Sequence, residues 1–310
     1  LIGVHKWFAR RPGTVFRNLL LAEYNGSESL DSSYWRAHQF NGVIADPFMG
    51  GGTTLYEANR LGFSVVGCDV NPMATWIVRQ SLAPLDLSAF RKAAEEVIAD
   101  TERIVHPLYQ TQCLECSGAA EVKYFLWVKT QECPKCAESV DLFPGNLLAE
   151  DVRHPRNVVA CGRCGFLNEY EAVPDTEAPA PCASCHASVV IEGPAKRNSV
   201  SCPKCQMTFK YPEGSSPPLH RMWAIEYHCP ACKRGHIGRF FKTPDADDLS
   251  RVDSAGRQLR CTDHPFVPSD PIPEGDETNR LRRWGYRHYR EMFNERQLLS
   301  LSLLLERLRA

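Results

Sequence analysis

The pattern of apolar and polar positions changes character three times along the 310 residues. Val43-Ile44-Ala45 is a short apolar run closed by Asp46, and Phe63 to Cys68 is a second one closed by Asp69. Between them, from about Thr53, Leu55, Ala58 and Leu61 fall on one helical face and Gly62 stops the helix. Asn71 caps another helix with Pro72 at its first position. From Leu87 to Val105, the residues Leu87, Phe90, Ala94, Val97, Ile98 and Ile104 recur at helical spacing, predicting an amphipathic helix with that face inward. This strand–helix alternation predicts an α/β fold. From 111 to 242 the pattern breaks into short β-prone segments such as Val122 to Val128, punctuated by cysteines. Residues 243–279 are acidic and Pro-rich and read as a linker. The stretch from Arg280 is basic and aromatic, and after Asn294 the spacing of Leu298, Leu301, Leu305 and Leu308 predicts a helix.

Composition narrows the function classes. The hydrophobic fraction is 43% and the charged fraction 24%, ordinary for a chain that buries a core. No run of 18 apolar residues and no secretory signal pattern occurs, so a cytoplasmic protein without membrane partners is expected. A formal charge of -1 excludes a binder that grips polyanions by bulk charge, and any nucleic-acid contact must be local.

Of 14 cysteines, 12 form six Cys-x-x-Cys knuckles: Cys113/Cys116, Cys133/Cys136, Cys161/Cys164, Cys182/Cys185, Cys202/Cys205 and Cys229/Cys232. Paired in chain order, the gaps of 16, 17 and 23 residues are zinc-ribbon spacings, which gives three four-cysteine sites for structural Zn2+. Pairing across ribbons stays open as an alternative, as do disulfides or iron. Four thiolates fill a tetrahedral ion, so these sites are structural, and His186, His228 and His236 are not needed as ligands. Each filled site carries about -2, which takes the net charge to roughly -7. Cys68 reads as a small buried filler at a strand end.

The remaining chemistry lies in Asp46-Pro47-Phe48-Met49-Gly50-Gly51-Gly52-Thr53-Thr54, between a strand and a helix. Glycines there let the backbone turn sharply and approach a ligand, and Asp69 ends the next strand, where an acid accepts ribose hydroxyls. Neither a dinucleotide fingerprint nor a P-loop is present. DPFMGGGTT instead resembles the S-adenosylmethionine (SAM) loop of amino-methyltransferases, and GCDVNPMA resembles their second motif, with Asp69 and Asn71. HKWFARRPGTVFRNLL looks like the element that closes over the cofactor, with His5, Lys6 and Trp7 among its matching positions. WGYRHYREMFNERQLLSLSLLLERL is similar to a segment of zinc-ribbon-bearing prokaryotic adenine-specific DNA methylases.

That resemblance implies a partial Rossmann-like SAM-dependent methyltransferase carrying a large β-rich zinc-ribbon insertion. Its parts would be a SAM-binding part over 1–110, the insertion over 111–242, the linker 243–279, and the start of a C-terminal part over 280–310. SAM would contact Asp46, Pro47, Phe48, Gly50, Gly51, Gly52, Thr53, Asp69, Asn71, His5, Lys6 and Trp7. The implied activity is amino-methylation of DNA, adenine N6 first, with cytosine N4, RNA, or a non-catalytic zinc-ribbon binding module as alternatives. Restriction or defence proteins are the expected protein partners. The family's catalytic Pro-Pro-aromatic tetrad has no good match. Ser216-Pro217-Pro218-Leu219 lacks the ring and Asp263-His264-Pro265-Phe266 lacks the second proline. The motif and the missing strands of the sheet are therefore expected beyond Ala310, as is suggested also by a start at Leu1. DNA contact is expected at Arg280, Arg282, Arg283, Arg287 and Arg290, interleaved with rings.

Overall fold

In the computed structural model, which describes residues 7–152, 154–212, 216–232 and 239–309, the early alternation folds as read. The order is α1 (Gly13–Tyr24), α2 (Leu30–Ser33), β1 (Val43–Asp46), α3 (Thr53–Arg60), β2 (Ser64–Gly67) and α4 (Pro72–Leu82). β1 and β2 pair in parallel, with Val43 opposite Ser64 and Asp46 opposite Gly67. The α3 face of Leu55, Ala58 and Leu61 is buried, and Ala58 and Leu61 join Leu20, Leu21 and Phe63 in one core. Each such Leu or Phe contributes about 1.5–3 kcal/mol by leaving water. Gly62 ends α3 at φ +98°, where a Cβ would lie 2.8 Å from the Gln39 Cα, so the passing chain requires glycine. Cys68 is exposed, contrary to the buried filler expected. β2 stops at Gly67, so Cys68 lies past the pleat; its backbone is held by Asp46 O and Met49 N while its thiol faces out.

The helix over Leu87–Val105, α5, has the expected bounds but buries none of its residues. Leu87, Phe90 and Ile98 of its apolar face are exposed and Ala94, Val97 and Ile104 half-buried. Periodicity reports that a helix has a face to bury; it does not supply the partner.

The chain separates into two compact units, Leu1–Arg91 and Lys92–Ala310. The second is built on a sheet of order β15-β14-β4-β3, with β5 also paired to β4. Its strands are β3 (Gln110–Gln112), β4 (Ala119–Glu132), β5 (Ser139–Asp141), β14 (Leu219–His228) and β15 (Arg239–Lys242). β4 and β14 run antiparallel, from Glu121 opposite His228 at one end to Thr130 opposite Leu219 at the other. Small sheets fill the interval: β6 (Leu147–Ala149), β7 (Asn157–Ala160) and β8 (Leu167–Tyr170); β9 (Ala180–Pro181) with β10 (Ser188–Val189); and β11 (Ala195–Lys196), β12 (Ser199–Ser201) and β13 (Thr208–Lys210). The protein is thus mixed α/β with several sheets.

The stretch expected as a linker carries structure. Its acidic residues cap a 16-residue helix, α6 (Ala246–Cys261), through a reciprocal box between Asp245 and Asp248. The buried Lys242 ammonium, 2% exposed, meets Asp248 Oδ2 at 2.9 Å and Thr111 Oγ1 at 3.1 Å, and Thr111 Oγ1 donates to Asp248 Oδ1 at 2.7 Å. This network ties α6 to β15 and β3. Among the prolines that follow, Ile272 is buried and its N–H donates to Arg287 O. The acid and proline content that suggested a linker therefore serves caps and turns.

Two further helices complete the unit, α7 (Asn279–Arg283) and α8 (Glu295–Arg309). α8 confirms the Leu-periodic helix, and its Leu299 packs with Leu108 and with Ala255 of α6. Arg296 is buried with its guanidinium 3.5 Å from the Phe125 ring centroid and 4.8 Å from that of Tyr109, and it donates to Leu108 O. Burial lowers its pKa to about 10. The arginine of the F-x-x-R-Q-L-L segment is thus a core rivet. Among the described residues no helix is long and apolar enough to cross a membrane.

Candidate cofactor loop and metal centres

β1 and β2 end side by side, and parallel strands present ligands at their carboxyl ends. The turn from Pro47 to Gly52 is therefore set against Asp69. Asp46 Oδ1 accepts the Phe48 N–H at 3.0 Å, which starts the turn, and the Gly52 N–H closes it on Met49 O at 2.7 Å. Gly52 then opens α3 at φ +78°, where a Cβ would stand 2.5 Å from Val78 Cγ2. Trp7 covers the loop: a Cβ on Gly51 would lie 2.9 Å from its Cδ1. Thr53 Oγ1 donates to Arg11 O.

Asp69 has a structural part in this turn. Its Oδ1 accepts the Asn71 N–H at 2.8 Å and its Oδ2 the Gly50 N–H at 2.9 Å. Those two bonds, Asn71 first, hold the carboxyl below its ordinary value of 3.8. The acid braces the glycine loop across 19 residues of chain, and each oxygen keeps a lone pair for a further donor. Asn71 Oδ1 in turn caps α4 at Met73 N. Phe48 and Val70 flank this acid with exposed apolar side chains. Trp7, Asp46, Pro47, Phe48, Gly50, Gly51, Gly52, Thr53, Asp69 and Asn71 thus share one region, whereas His5 and Lys6 lie outside the described residues.

All 12 knuckle cysteines fall into three groups of four, with sulfurs within 4.8 Å of one another. The groups are Cys113, Cys116, Cys229 and Cys232; Cys133, Cys136, Cys202 and Cys205; and Cys161, Cys164, Cys182 and Cys185. Cross-knuckle sulfur separations of 3.6–3.7 Å match the roughly 3.8 Å edge of a tetrahedron with metal–sulfur bonds of about 2.3 Å. The donor set therefore fits zinc.

The pairing is nested, and this corrects the chain-order scheme for two of the three sites. β4 alone is 14 residues long and extended, which separates Cys116 from Cys133 by about 45 Å. The ten-residue β14 separates Cys205 from Cys229 in the same way. Antiparallel pairing of β4 with β14 instead brings the first knuckle to the sixth. The third and fourth pair as expected, because the short β8 between them turns back.

One turn recurs in five knuckles. The residue after the second cysteine (Ser117, Ala137, Gly165, His186 and Gln206) has φ between +56° and +75°. Its N–H returns to the first cysteine's carbonyl at 2.8–3.0 Å. His186 therefore serves the turn, not the metal. The residue after Cys232 and His236 lie outside the described residues.

The thiols show what a bound cation would relieve. Burial raises the Cys182 thiol, but N–H groups of Cys185 and Ser184 outweigh it and bring it down to about 6. Burial together with the three neighbouring sulfurs pushes Cys164 of the same group up to about 12. Four thiolates in contact repel, and a divalent ion removes that repulsion.

Neither weak catalytic match behaves as a base pocket. Ser216 O lies where a Gly285 Cβ would stand, and Leu219 is exposed. His264 pairs with Glu306 at 3.0 Å, and the Arg309 guanidinium covers the Phe266 ring at 4.7 Å. Of the five arginines expected at nucleic acid, Arg282 is held by Glu274 and Ile272 O, and Arg287 donates to the Arg282 and Tyr286 carbonyls. Arg280 meets Glu277 at 3.7 Å on the surface. Arg283 and Arg290 are exposed.

No family model matches the chain, and no solved structure is similar to it. It is similar to a type II methyltransferase, M.MjaII, of Methanocaldococcus jannaschii, with 31% identity over 71 residues. That stretch is 22% of this chain and spans 13% of the length of the curated relative. Local similarity to a methyltransferase thus stands beside three tetrathiol groups fit for metal.

Proposed function

We propose that this chain belongs to a SAM-dependent amino-methyltransferase acting on DNA, with adenine N6 as the acceptor. The α/β unit is read as part of a Rossmann-like cofactor domain, and the three zinc ribbons as its insertion. The observation that carries this reading is the brace of Asp69 on Gly50, which places an ionised acid with free lone pairs beside a glycine turn at the ends of two parallel strands.

SAM supplies a sulfonium-activated methyl group. The chain's own part is binding and orientation. Asp69 accepts ribose hydroxyls, and the exposed Phe48 and Val70 give a flat ring apolar cover. The backbone of Gly50 to Gly52 admits close approach, with Trp7 as the lid. Such positioning can contribute about 7–11 kcal/mol to an in-line transfer. The local similarity to M.MjaII supports the methyltransferase class. The base acted on is inferred from the resemblance of the WGYRHYREMFNERQLL segment.

Two measurements test the reading. SAM should bind the zinc-loaded chain, and Asp69→Ala should weaken binding roughly tenfold to a hundredfold through loss of charge-assisted hydrogen bonds. Tritiated-methyl transfer to unmodified duplex DNA by the intact protein should fall with Asp69→Ala and with Asp46→Ala. No transfer, or transfer untouched by both changes, would remove the methyltransferase reading.

A further inference from the structure

A cleft of about 830 Å³ opens in the zinc-held unit, within the size range of ligand sites. Lys129, Arg197, Lys210, Arg280 and Arg283 line it, and among the described residues no carboxylate does. Trp127, Phe143, Tyr211 and Trp284 add half-buried rings. Two of its cations, Arg280 and Arg283, belong to the basic stretch noted in the sequence. The other three come from β4 (Lys129), from the turn between β11 and β12 (Arg197) and from the end of β13 (Lys210).

The walls are firmly built. Arg197 sits at φ +53° in the tight turn between β11 and β12, and the next residue's carbonyl, Asn198 O, accepts the Tyr211 N–H at 3.0 Å. Gly285, at φ +89°, lets the end of α7 press on Ser216, where a Cβ would lie 2.0 Å from the carbonyl oxygen. That contact fixes Trp284 with its ring centroid 5.9 Å from that of Tyr211 and with the Lys129 ammonium 4.8 Å from its ring.

Five cations surround one concavity that no carboxylate lines among the described residues, although Arg280 also meets Glu277 on the surface at 3.7 Å. Their excess of positive charge creates a potential that calls for a polyanion. Rings in the same concavity call for flat partners. A duplex hides its base faces in its own stack, so the ligand that meets both demands is unpaired nucleic acid. We propose that this cleft binds an unpaired stretch of nucleic acid, with phosphates on Arg197, Lys210, Lys129, Arg280 and Arg283 and bases against Tyr211 and Trp284. The proposal deepens the nucleic-acid half of the reading above and rests on that half alone, not on methyl transfer. An enzyme that acts on a base must take it out of the stack, and a site for the loosened strand suits that need.

The test is fluorescence anisotropy on the zinc-loaded chain without methyl donor. The probes are a labelled 12-nucleotide single strand, a duplex of the same sequence, and heparin as a polyanion without bases. The single strand should bind at least tenfold more tightly than the duplex. Arg197→Ala with Lys210→Ala should reduce the slope of log K against log salt by about 1.4, or about 0.7 per lost phosphate contact. Trp284→Ala should weaken binding roughly tenfold or more, whereas Trp284→Phe, which keeps a ring, should retain most of it. Zinc content and melting temperature report whether each variant folds. Equal affinity for duplex or heparin, or a salt slope and affinity unmoved by the ribbon changes, would overturn the proposal. A chain that binds the single strand yet transfers no methyl keeps this inference and loses the methylation reading. Methylation with cleft variants at full affinity keeps methylation and removes the cleft.

Discussion

The glycine loop and the four-cysteine clasps both hold distant pieces of chain at one point, and they do it by opposite means. In the loop, Asp69 reaches Gly50 across 19 residues with one carboxylate, and glycines remove every side chain that would obstruct. In the clasps, Cys116 and Cys229 meet across 113 residues with their sulfurs 3.7 Å apart, an arrangement that a tetrahedral ion would lock. The first device is readable from a short motif. The second depends on which strands pair, which no motif contains. Backbone hydrogen bonds leave a loop free to readjust around a ligand, whereas tetrahedral metal fixes a frame.

The largest effect expected from breaking this contrast is metal removal. A structural zinc site of this kind would contribute about 10–16 kcal/mol of apparent binding free energy at neutral pH. Chelation should therefore unfold Lys92–Ala310, seen as loss of tryptophan emission structure, while amides of the β1–β2 pair stay protected from exchange. Native mass spectrometry should give three zinc ions per chain. A zinc-free chain with an unchanged melting transition would mean the clasps are decoration.

Next comes a site in the same unit that metal does not hold. Asp248→Ala would take from the buried Lys242 ammonium one of its two carboxylates, leaving Asp245 at 2.5 Å. It would also strip Thr111 Oγ1 of its acceptor and open the capping box, a loss of about 1.5–3 kcal/mol in all. Denaturant melts of the zinc-loaded protein measure it. A shift under about 1 kcal/mol, the size of a surface pair, would show that zinc alone frames the unit and that α6 is merely attached.

The smallest effect concerns acid. Asp69 has a folded pKa below 3.8, so its brace is fully present above that value and is lost as pH falls through the folded pKa. Zinc thiolates take up protons and release metal at higher pH than this. On acidification the clasps should open first, and the Gly50 and Asn71 amide resonances should titrate afterwards, with a midpoint under 3.8. Reversal of that order would break the comparison.

What could be read in advance follows the same divide. The first strand, the α3 face and the Asn71-Pro72 cap are local and stand where their patterns placed them. α8 forms as a helix, although it buries Arg296, Leu299 and Ser302 while Leu301, Leu305 and Leu308 of the periodic set stay exposed. The candidate metal-binding cysteines were also legible, because Cys-x-x-Cys is a local turn. Their partners were not, although one clue was present. A β-prone run from Val122 to Val128 inside a 16-residue gap leaves too little slack for the chain to return. The acidic run at Asp245–Asp248 misled because caps and linkers share residue types, and only the buried Lys242 tells them apart. The cleft was invisible for a plainer reason. Its cations come from separated hairpins and a helix, so no window of sequence contains them together.

Nesting gives the zinc unit a calendar. Cys161 and Cys185 lie 24 residues apart, Cys133 and Cys205 lie 72 apart, and Cys116 and Cys229 lie 113 apart. A chain emerging from the ribosome completes the innermost quartet first and the outermost last. Each closure shortens the free loop that the next must gather, so the entropic cost of the widest clasp falls as the inner ones are secured. Growth from the amino terminus thus imposes an inside-out order in which the cysteine quartets become complete. Cys229 and Cys232 act as the final latch, closed only after every other ligand has been made.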